Sequence, residues 1–217
     1  MRLCFVFALF CASPAWADCA QLAKAESVVL AYGDLVLPGG RIESEATCIQ
    51  RGTPTVIETR LRPNGEPLRQ EFVGGRLVSM SIDKGAFNTR FRTFNAKGNP
   101  ESLLPGTHVS FDMERSYDGG RPSVTIHIER DIEAAGSVDI SGCHFELLRV
   151  RLLWQEPSRT ARWDTLLSPK LNHPIQSRVF LLDPKSLQDV REEFRSRITQ
   201  IAPEEEAERI CHPKPLS

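Results

Sequence analysis

The chain of 217 residues carries 27 basic and 28 acidic side chains, so that its formal net charge is only −1. A balance this even does not indicate a polyanion as the main partner, and we expect no nucleic-acid binding. After removal of a leader, about 200 residues would remain, which is enough for one well-buried domain.

The N-terminus has the layout of a secretory signal peptide. One basic residue precedes an apolar run over residues 3–11, and Ala15-Trp16-Ala17 follows as a small-x-small cleavage signal. This layout predicts a signal peptide over residues 1–17 and a mature chain that begins at Asp18. The run is shorter than the ~20 residues that span a bilayer, so a retained anchor is the less favoured alternative. We therefore expect a periplasmic or secreted protein that does not span the membrane after cleavage.

Four cysteines remain after the predicted cleavage: Cys19, Cys48, Cys143 and Cys211. An even number in an oxidising compartment predicts disulfides, and four cysteines allow three connectivities. We favour pairing between neighbours in sequence, Cys19 with Cys48 and Cys143 with Cys211. The second bond would hold the C-terminal region against the sheet. A redox-active pair is the less favoured alternative, because the sequence has no Cys-x-x-Cys.

The first segment of the predicted mature chain can be interpreted in two ways. Asp18 can cap a short N-terminal helix, with Gln21 three residues later as in a capping box. Alternatively, a strand begins near Ser27, because Val28-Val29-Leu30 are strand formers.

From Leu37 to about Leu182 the sequence alternates between turn signals and strand patterns. Turn signals such as Pro63-Asn64-Gly65 and Asp118-Gly119-Gly120 recur about every ten residues. Apolar residues between them alternate with polar ones, as in Val109-Ser110-Phe111-Asp112-Met113. Period two predicts half-buried strands joined by antiparallel hairpins. We predict a mainly β fold over residues 18–217, a curved antiparallel sheet or half-open barrel of about ten strands.

A C-terminal amphipathic helix is predicted over residues 184–202. Asp183-Pro184 supplies an N-cap and a proline at the first helical position. Apolar residues then follow at spacings of three and four: Leu187, Val190, Phe194, Ile198 and Ile201. We expect this stripe to cover the sheet, with a membrane or partner surface as the alternative. Glu204-Glu205-Glu206 predicts a final short helical turn.

No motif in the sequence indicates catalysis. It lacks the Gly-x-Ser-x-Gly, His-Glu-x-x-His, Walker-loop and dinucleotide-glycine patterns. Its five histidines have no second ligand at a metal-like spacing: His108, His127, His144, His173 and His212. We therefore expect a protein that is not an enzyme, with no catalytic residue, no metal ligand and no cofactor.

Four arginines are candidates for contacting an anion. Arg90 and Arg92 alternate with Phe91 on one predicted strand, and Arg149 and Arg151 flank Val150 on another. If these strands are neighbours, the arginines form a stripe that could bind phosphate or carboxylate groups through paired hydrogen bonds. Ordinary solvent-facing arginines are the alternative.

Large apolar residues on the strand faces are candidates for lining a ligand cavity. They are Met80, Phe91, Phe111, Met113 and Trp154. A sheet that wraps a cavity with such a lining could hold a lipid tail. A packed core explains the same residues as an alternative.

Three segments late in the chain carry a resemblance to a known group of proteins. They are Gly142-Cys143-His144-Phe145-Glu146, the stretch from Arg162-Trp163-Asp164-Thr165 to Ser168-Pro169-Lys170-Leu171, and Ser177-Arg178-Val179. They resemble uncharacterised exported bacterial β-sheet proteins, which are similar to the LolA/LolB-like half-barrel carriers of the periplasm. The resemblance implies a strongly curved sheet lidded by helices around an apolar cavity. It assigns no site residue.

Two functions fit these predictions. The first is a non-catalytic periplasmic protein that binds or carries an apolar or amphiphilic ligand, such as a lipid, with the C-terminal helix as a lid. A concave face already filled by Phe111, Met113 and Trp154 would contradict it. The second is a cell-envelope assembly module whose exposed strand edges pair with an envelope protein.

Overall fold

The computed structural model describes residues 19, 22, 26–52, 55–61, 67–73, 76–82, 87–119 and 121–212. The predicted signal peptide lies outside these residues, as does the predicted N-terminal helix apart from Cys19 and Leu22. The described elements are β1 (Ser27–Val36), β2 (Ile42–Arg51), β3 (Thr55–Leu61), β4 (Leu68–Val73), β5 (Arg76–Ile82), β6 (Phe87–Lys97), β7 (His108–Tyr117), β8 (Val124–Ile140), β9 (Cys143–Glu156), β10 (Arg159–Ser168), β11 (His173–Leu182), β12 (Asp189–Ile201) and α1 (Glu204–Cys211). The alternative interpretation of a strand that begins near Ser27 is confirmed.

The strands form a closed antiparallel barrel. Each strand pairs with its neighbours in sequence, and β1 pairs with β12 from Ala31–Ile201 to Val36–Arg195. The mainly β prediction is confirmed, but the prediction of about ten strands in a half-open sheet is wrong. Turn signals mark hairpins along the chain, whereas closure depends on a contact between its two ends that no local pattern contains.

The predicted helix over residues 184–202 is wrong, because most of this segment forms the strand β12 and residues 184–188 form the turn before it. Leu187 and Val190 are 43% and 60% exposed, so the expected apolar stripe is not buried as a unit. The backbone of β12 is instead paired with β11 on one side and β1 on the other. Pairing on both sides outweighs the helical spacing of five apolar residues. The short helical turn predicted from Glu204-Glu205-Glu206 is confirmed as the start of α1.

The four cysteines form disulfides, but the predicted pairing is wrong. Cys19 bonds Cys143, with 5.5 Å between their Cα atoms, and Cys48 bonds Cys211, with 5.7 Å. The bonds span 124 and 163 residues of sequence. The closed barrel brings residues from the two halves of the chain together, so nearness in sequence is a poor guide to pairing.

One end of the barrel, here called the base, is where β1 begins and β12 ends. Because the strands alternate in direction, the β6–β7 loop and the β8–β9 and β10–β11 turns also lie at the base. An apolar cluster fills it, in which Phe145 and Leu171 are fully buried beside Ile201. The β8–β9 turn is attached to β12, since the Ile201 amide donates to Ser141 Oγ at 2.8 Å. The Cys19–Cys143 bond joins the N-terminal segment to this base.

Helix α1 packs on the outside of the barrel. Ala207 is fully buried against Leu30 and Cys48, whose side chains face outward from β1 and β2. Tyr32 Oη donates to Glu206 at 2.7 Å. Burial and this hydrogen bond raise the pKa of Tyr32. In the part of the chain that is described, no helix is long and apolar enough to cross a membrane.

Candidate functional site

The barrel encloses a cavity of about 290 Å³. Residues from β1 to β5 and from β7 to β12 line it. In each strand, alternate side chains point inward, so the same pattern that buries the core also supplies the lining. The lining is not uniform around the barrel, and it divides into an apolar wall and a polar wall.

The apolar wall lies on β7 to β10. Phe111, Ile128 and Val150 are buried there, and two indole rings complete the wall. Its main residues are Phe111, Met113, Ile128, Val150, Leu152, Trp154, Trp163 and Leu167. Trp163 is held in place by an edge-on contact with Phe194, whose ring centroid is 5.6 Å away. This wall offers a contiguous surface to an apolar ligand group.

The polar wall is centred on a buried hydrogen-bonded pair between β3 and β11. His173 Nδ1 donates to Glu58 Oε1 at 2.7 Å, and both side chains are almost completely buried. Arg60 lies 3.8 Å from Glu58 Oε2 and 3.6 Å from Glu45. Burial by itself raises the pKa of Glu58, but the charge and hydrogen bond of His173, together with Arg60, outweigh it and lower the pKa. Glu58 is therefore a carboxylate at neutral pH.

Several buried polar atoms of the lining have no hydrogen-bond partner among the residues that the structure describes. They are Glu58 Oε2, Gln70 Oε1, Arg76 Nε, Arg130 Nε, Trp163 Nε1 and Asn172 Oδ1. Native structures hold few such atoms, because an unsatisfied buried polar group costs about 1–3 kcal/mol. Both donors and acceptors are present, so this part of the barrel carries unsatisfied polar groups of both kinds.

The predicted ligand-lining residues lie together on the inside of the barrel. Phe111, Met113 and Trp154 line the cavity itself. Met80 and Phe91 belong to the same apolar cluster but do not line the cavity. A cavity remains beside these three residues, so they do not fill the concave face of the sheet. A filled face would have contradicted a ligand-binding function. Their contact with a ligand stays a prediction.

The predicted arginine stripe does not exist as one surface. Arg90 and Arg92 lie on β6 and Arg149 and Arg151 on β9, with β7 and β8 between them. All four side chains are exposed, away from the cavity. Three of them pair with neighbouring carboxylates on the barrel surface: Arg92 with Glu114 at 3.2 Å, Arg149 with Glu133 at 3.9 Å and Arg151 with Asp164 at 3.5 Å.

Sequence reasoning missed the polar wall, although part of its signal was present. Val56, Glu58 and Arg60 alternate in β3, so Glu58 shares the inward face with a buried valine. A charged residue on an apolar face is such a signal. His173 carries none, because it follows a turn and its partner is 115 residues away. Among the described residues, no group of three or more His, Cys, Asp or Glu is placed to hold a metal ion.

Comparison with known proteins gives limited information. No model of a protein family matches this chain, and no curated protein matches it. Two solved structures are similar to it in part. The crystal structure of the hypothetical lipoprotein YmcC from Escherichia coli K12 has 14% sequence identity and a TM-score of 0.43, over 85% of this chain and 89% of that one. The crystal structure of MucB has 16% identity and a TM-score of 0.30, over 84% of this chain and 56% of that one. Both TM-scores are low, so neither structure establishes the fold or the function of this chain.

Proposed function

We propose that this protein is a non-catalytic periplasmic protein that binds or carries an amphiphilic ligand inside its barrel. The observation that carries the proposal is the division of one cavity into an apolar wall and a polar wall. An amphiphile has the matching division into a chain and a head group. A purely apolar ligand would leave the buried polar atoms unpartnered, and a purely polar one would leave the aromatic wall in contact with water.

The cavity volume supports a small ligand. About 290 Å³ is near the lower end of the ~300–1,000 Å³ range of small-molecule sites. A cavity of this size suits one short apolar chain with its head group better than a lipid with several chains. Covering the indole rings and Phe111 would stabilise the complex by about 25 cal/mol for each Å² of apolar surface removed from water.

The proposed compartment rests on the covalent structure. Disulfides persist outside the reducing cytoplasm, and two of them join distant parts of this chain. The predicted signal peptide over residues 1–17 agrees with export. Both features support a periplasmic or secreted protein.

The envelope assembly module has less support. That hypothesis required exposed strand edges, and β1 and β12, which would be the edges of an open sheet, are paired with each other. Closure of a barrel removes the edges that could pair with a partner strand. We therefore favour ligand binding over strand exchange with an envelope protein.

Native mass spectrometry of protein purified from a periplasm tests this function. We expect a bound small molecule that an organic solvent releases. Thr165→Phe, which places a ring in the cavity, should remove the bound mass, whereas Thr125→Phe on the exposed face of β8 should keep it. Far-UV circular dichroism should show that both variants keep the barrel. A wild-type protein without a bound molecule in repeated preparations, or equal occupancy in the two variants, would contradict the proposal.

A further inference from the structure

Two arginines project into the same cavity and are held by three consecutive residues of the β6–β7 loop. Arg130 Nη2 donates to the carbonyl oxygens of Pro100 and Ser102, at 2.8 and 2.9 Å. Arg76 Nη2 lies 3.1 Å from the carboxylate of Glu101, the residue between them. Arg76 Nη1 donates to Thr93 Oγ1 at 2.6 Å. The two guanidinium groups are thereby fixed at one end of the cavity.

The positive charge at this end is only partly compensated. Arg130 is 3% exposed, and none of the residues that the structure describes places a carboxylate within 4 Å of its guanidinium. Its partners there are neutral carbonyls. Glu101, the carboxylate that pairs with Arg76 among the described residues, is 48% exposed. Burial and then the charge of Arg76 lower the pKa of Arg130, but an arginine stays protonated in proteins. A buried charge without a counter-ion is costly, and a bound anion would relieve that cost.

We propose that Arg76 and Arg130 form the anion-binding end of the cavity and that the ligand is a single-chain amphiphile with an oxyanion head group, a carboxylate or a phosphate. This inference rests on the proposed amphiphile-binding function and specifies its ligand class. The Nε atoms of both arginines are buried and have no hydrogen-bond partner among the described residues, so each guanidinium carries a donor that this part of the protein leaves unsatisfied. Guanidinium groups bind carboxylate and phosphate through paired, charge-assisted hydrogen bonds.

The polar wall on β3 favours this orientation of the ligand. Glu58 and Glu45 place two carboxylates beside Arg60 and His173. An anionic head group gains little there, because the positive charges already have carboxylate partners. The head group therefore binds Arg76 and Arg130, and the chain lies against Phe111 and the indole rings.

Arg130 has a structural role that must be separated from anion binding, since it also anchors the loop at Pro100 and Ser102. Selectivity between head groups separates the two. Loss of the loop anchor lowers the affinity for every ligand to the same extent, whereas loss of the anion site lowers the affinity for anionic ligands only. The test therefore compares four ligands with the same ten-carbon chain: decanoate, decyl phosphate, decan-1-ol and decyltrimethylammonium.

The experiment titrates these ligands into the wild-type protein and three variants and follows tryptophan fluorescence. In the wild type, decanoate or decyl phosphate should bind about tenfold or more tightly than decan-1-ol and decyltrimethylammonium, as for a charge-assisted hydrogen bond. Arg130→Met and Arg76→Met should each reduce this ratio about tenfold, whatever their effect on the Kd of decan-1-ol. Arg92→Met, on the barrel surface, is the matched control and should change neither.

Each outcome decides the inference. Preference for decanoate alone or for decyl phosphate alone supports it and identifies the head group. Equal affinity for decan-1-ol and the anions overturns it while amphiphile binding stands. The inference is also overturned if Arg130→Met weakens the binding of all four ligands equally and Arg76→Met leaves the ratio between anionic and other ligands unchanged. A third result that overturns it is a loss of this ratio in Arg92→Met as large as in the cavity variants. If none of the four ligands shows saturable binding, both the proposed function and the inference are overturned.

Discussion

At the scale of single residues, the buried pair of Glu58 and His173 is the feature that most constrains the site. Two ionisable groups inside a barrel are stable only when they satisfy each other, because each loses its hydration on folding. Their 2.7 Å contact meets that requirement for Glu58 Oε1, while Oε2 lies 3.8 Å from Arg60 and has no hydrogen-bond partner among the described residues. The pair therefore contributes to the stability of the folded protein and makes this side of the cavity polar.

Replacing Glu58 by Gln should destabilise the protein at neutral pH. The change keeps the shape of the side chain but leaves His173 and Arg60 without their buried counter-ion. Breaking a buried ion pair from one side costs about 3–5 kcal/mol. Urea unfolding at pH 7 should show a lower free energy of unfolding by about that amount. Glu146→Gln, at an exposed position of β9, is the control and should change it by less than about 0.5 kcal/mol.

The pH dependence of this effect has a defined sign. The pKa of Glu58 is lowered from 4.5 in the folded protein, so its contribution to stability is complete above that value and is lost as the pH falls through the folded-state pKa. The difference between wild type and Glu58→Gln should therefore shrink on acidification below pH 4.5. A difference that stays constant down to the acid limit of folding would show that the charge of Glu58 does not contribute to stability.

Several site residues could be predicted from the sequence, and the reason is the period of a strand. Alternation placed Phe111, Met113 and Trp154 on the inward face, where the structure finds them. It could not separate them from Met80 and Phe91, because alternation gives the face of a strand but not which residues on that face line the cavity. The role of Arg130 was hidden for a similar reason, since its loop partners are about 30 residues away.

At the scale of elements, β12 shows where local pattern and tertiary pairing disagree. Residues 187–201 have helical spacing of apolar residues, yet Asp189–Ile201 forms a strand that closes the barrel. The turn before it is fixed by Asp183 Oδ1, which accepts hydrogen bonds from the amides of Lys185 and Ser186. The proline and the acidic cap that predicted a helix start thus belong to a hairpin turn.

Helix α1 should depend on its disulfide. It has only eight residues, which is too short to be stable alone in water. The double variant Cys48→Ser, Cys211→Ser should raise hydrogen exchange in α1 while the strands keep their protection. The Cys48–Cys211 bond closes a loop of 163 residues. On the chain-entropy model such a bond stabilises the folded protein by about 5 kcal/mol, so the free energy of unfolding should fall as well.

The other disulfide provides the control for this experiment. Cys19→Ser with Cys143→Ser should loosen the base of the barrel and leave α1 protected. Unchanged protection of α1 without the Cys48–Cys211 bond would mean that Ala207 and the Tyr32–Glu206 hydrogen bond suffice to hold the helix. Peptide mapping under non-reducing conditions should recover the two pairs directly.

At the scale of the whole molecule, closure between β1 and β12 creates the cavity. The register of this seam shifts between Tyr32 and Gly33. A Cβ atom at Gly33 would overlap the backbone carbonyl oxygen of Arg197 across the seam. A glycine is needed there because the two backbones approach too closely for any side chain. No local pattern marks Gly33, since its neighbour Arg197 is distant in sequence.

Gly33→Ala should therefore weaken the seam. We expect a loss of about 1–3 kcal/mol in the free energy of unfolding, as for overpacking, with faster hydrogen exchange in β1 and β12 than in β7 to β9. Gly40→Ala, in the β1–β2 turn, has open space around the added methyl group and strains only the backbone. It should leave exchange at the seam unchanged. If hydrogen exchange in β1 and β12 were equal in the wild type and Gly33→Ala, the close approach of the two backbones would not require a glycine.

The central claim is that an amphiphile binds inside the barrel, and the tryptophan side chains test it most directly. Trp154 and Trp163 line the cavity, and within the described part of the chain the Trp163 indole N–H has no hydrogen-bond partner. In an ¹H–¹⁵N NMR titration with decan-1-ol and with decanoate, both indole resonances should shift saturably, and Thr165→Phe should abolish the shifts. Saturable shifts confined to backbone amides of the barrel exterior, with both indole resonances unmoved, would contradict binding in the cavity.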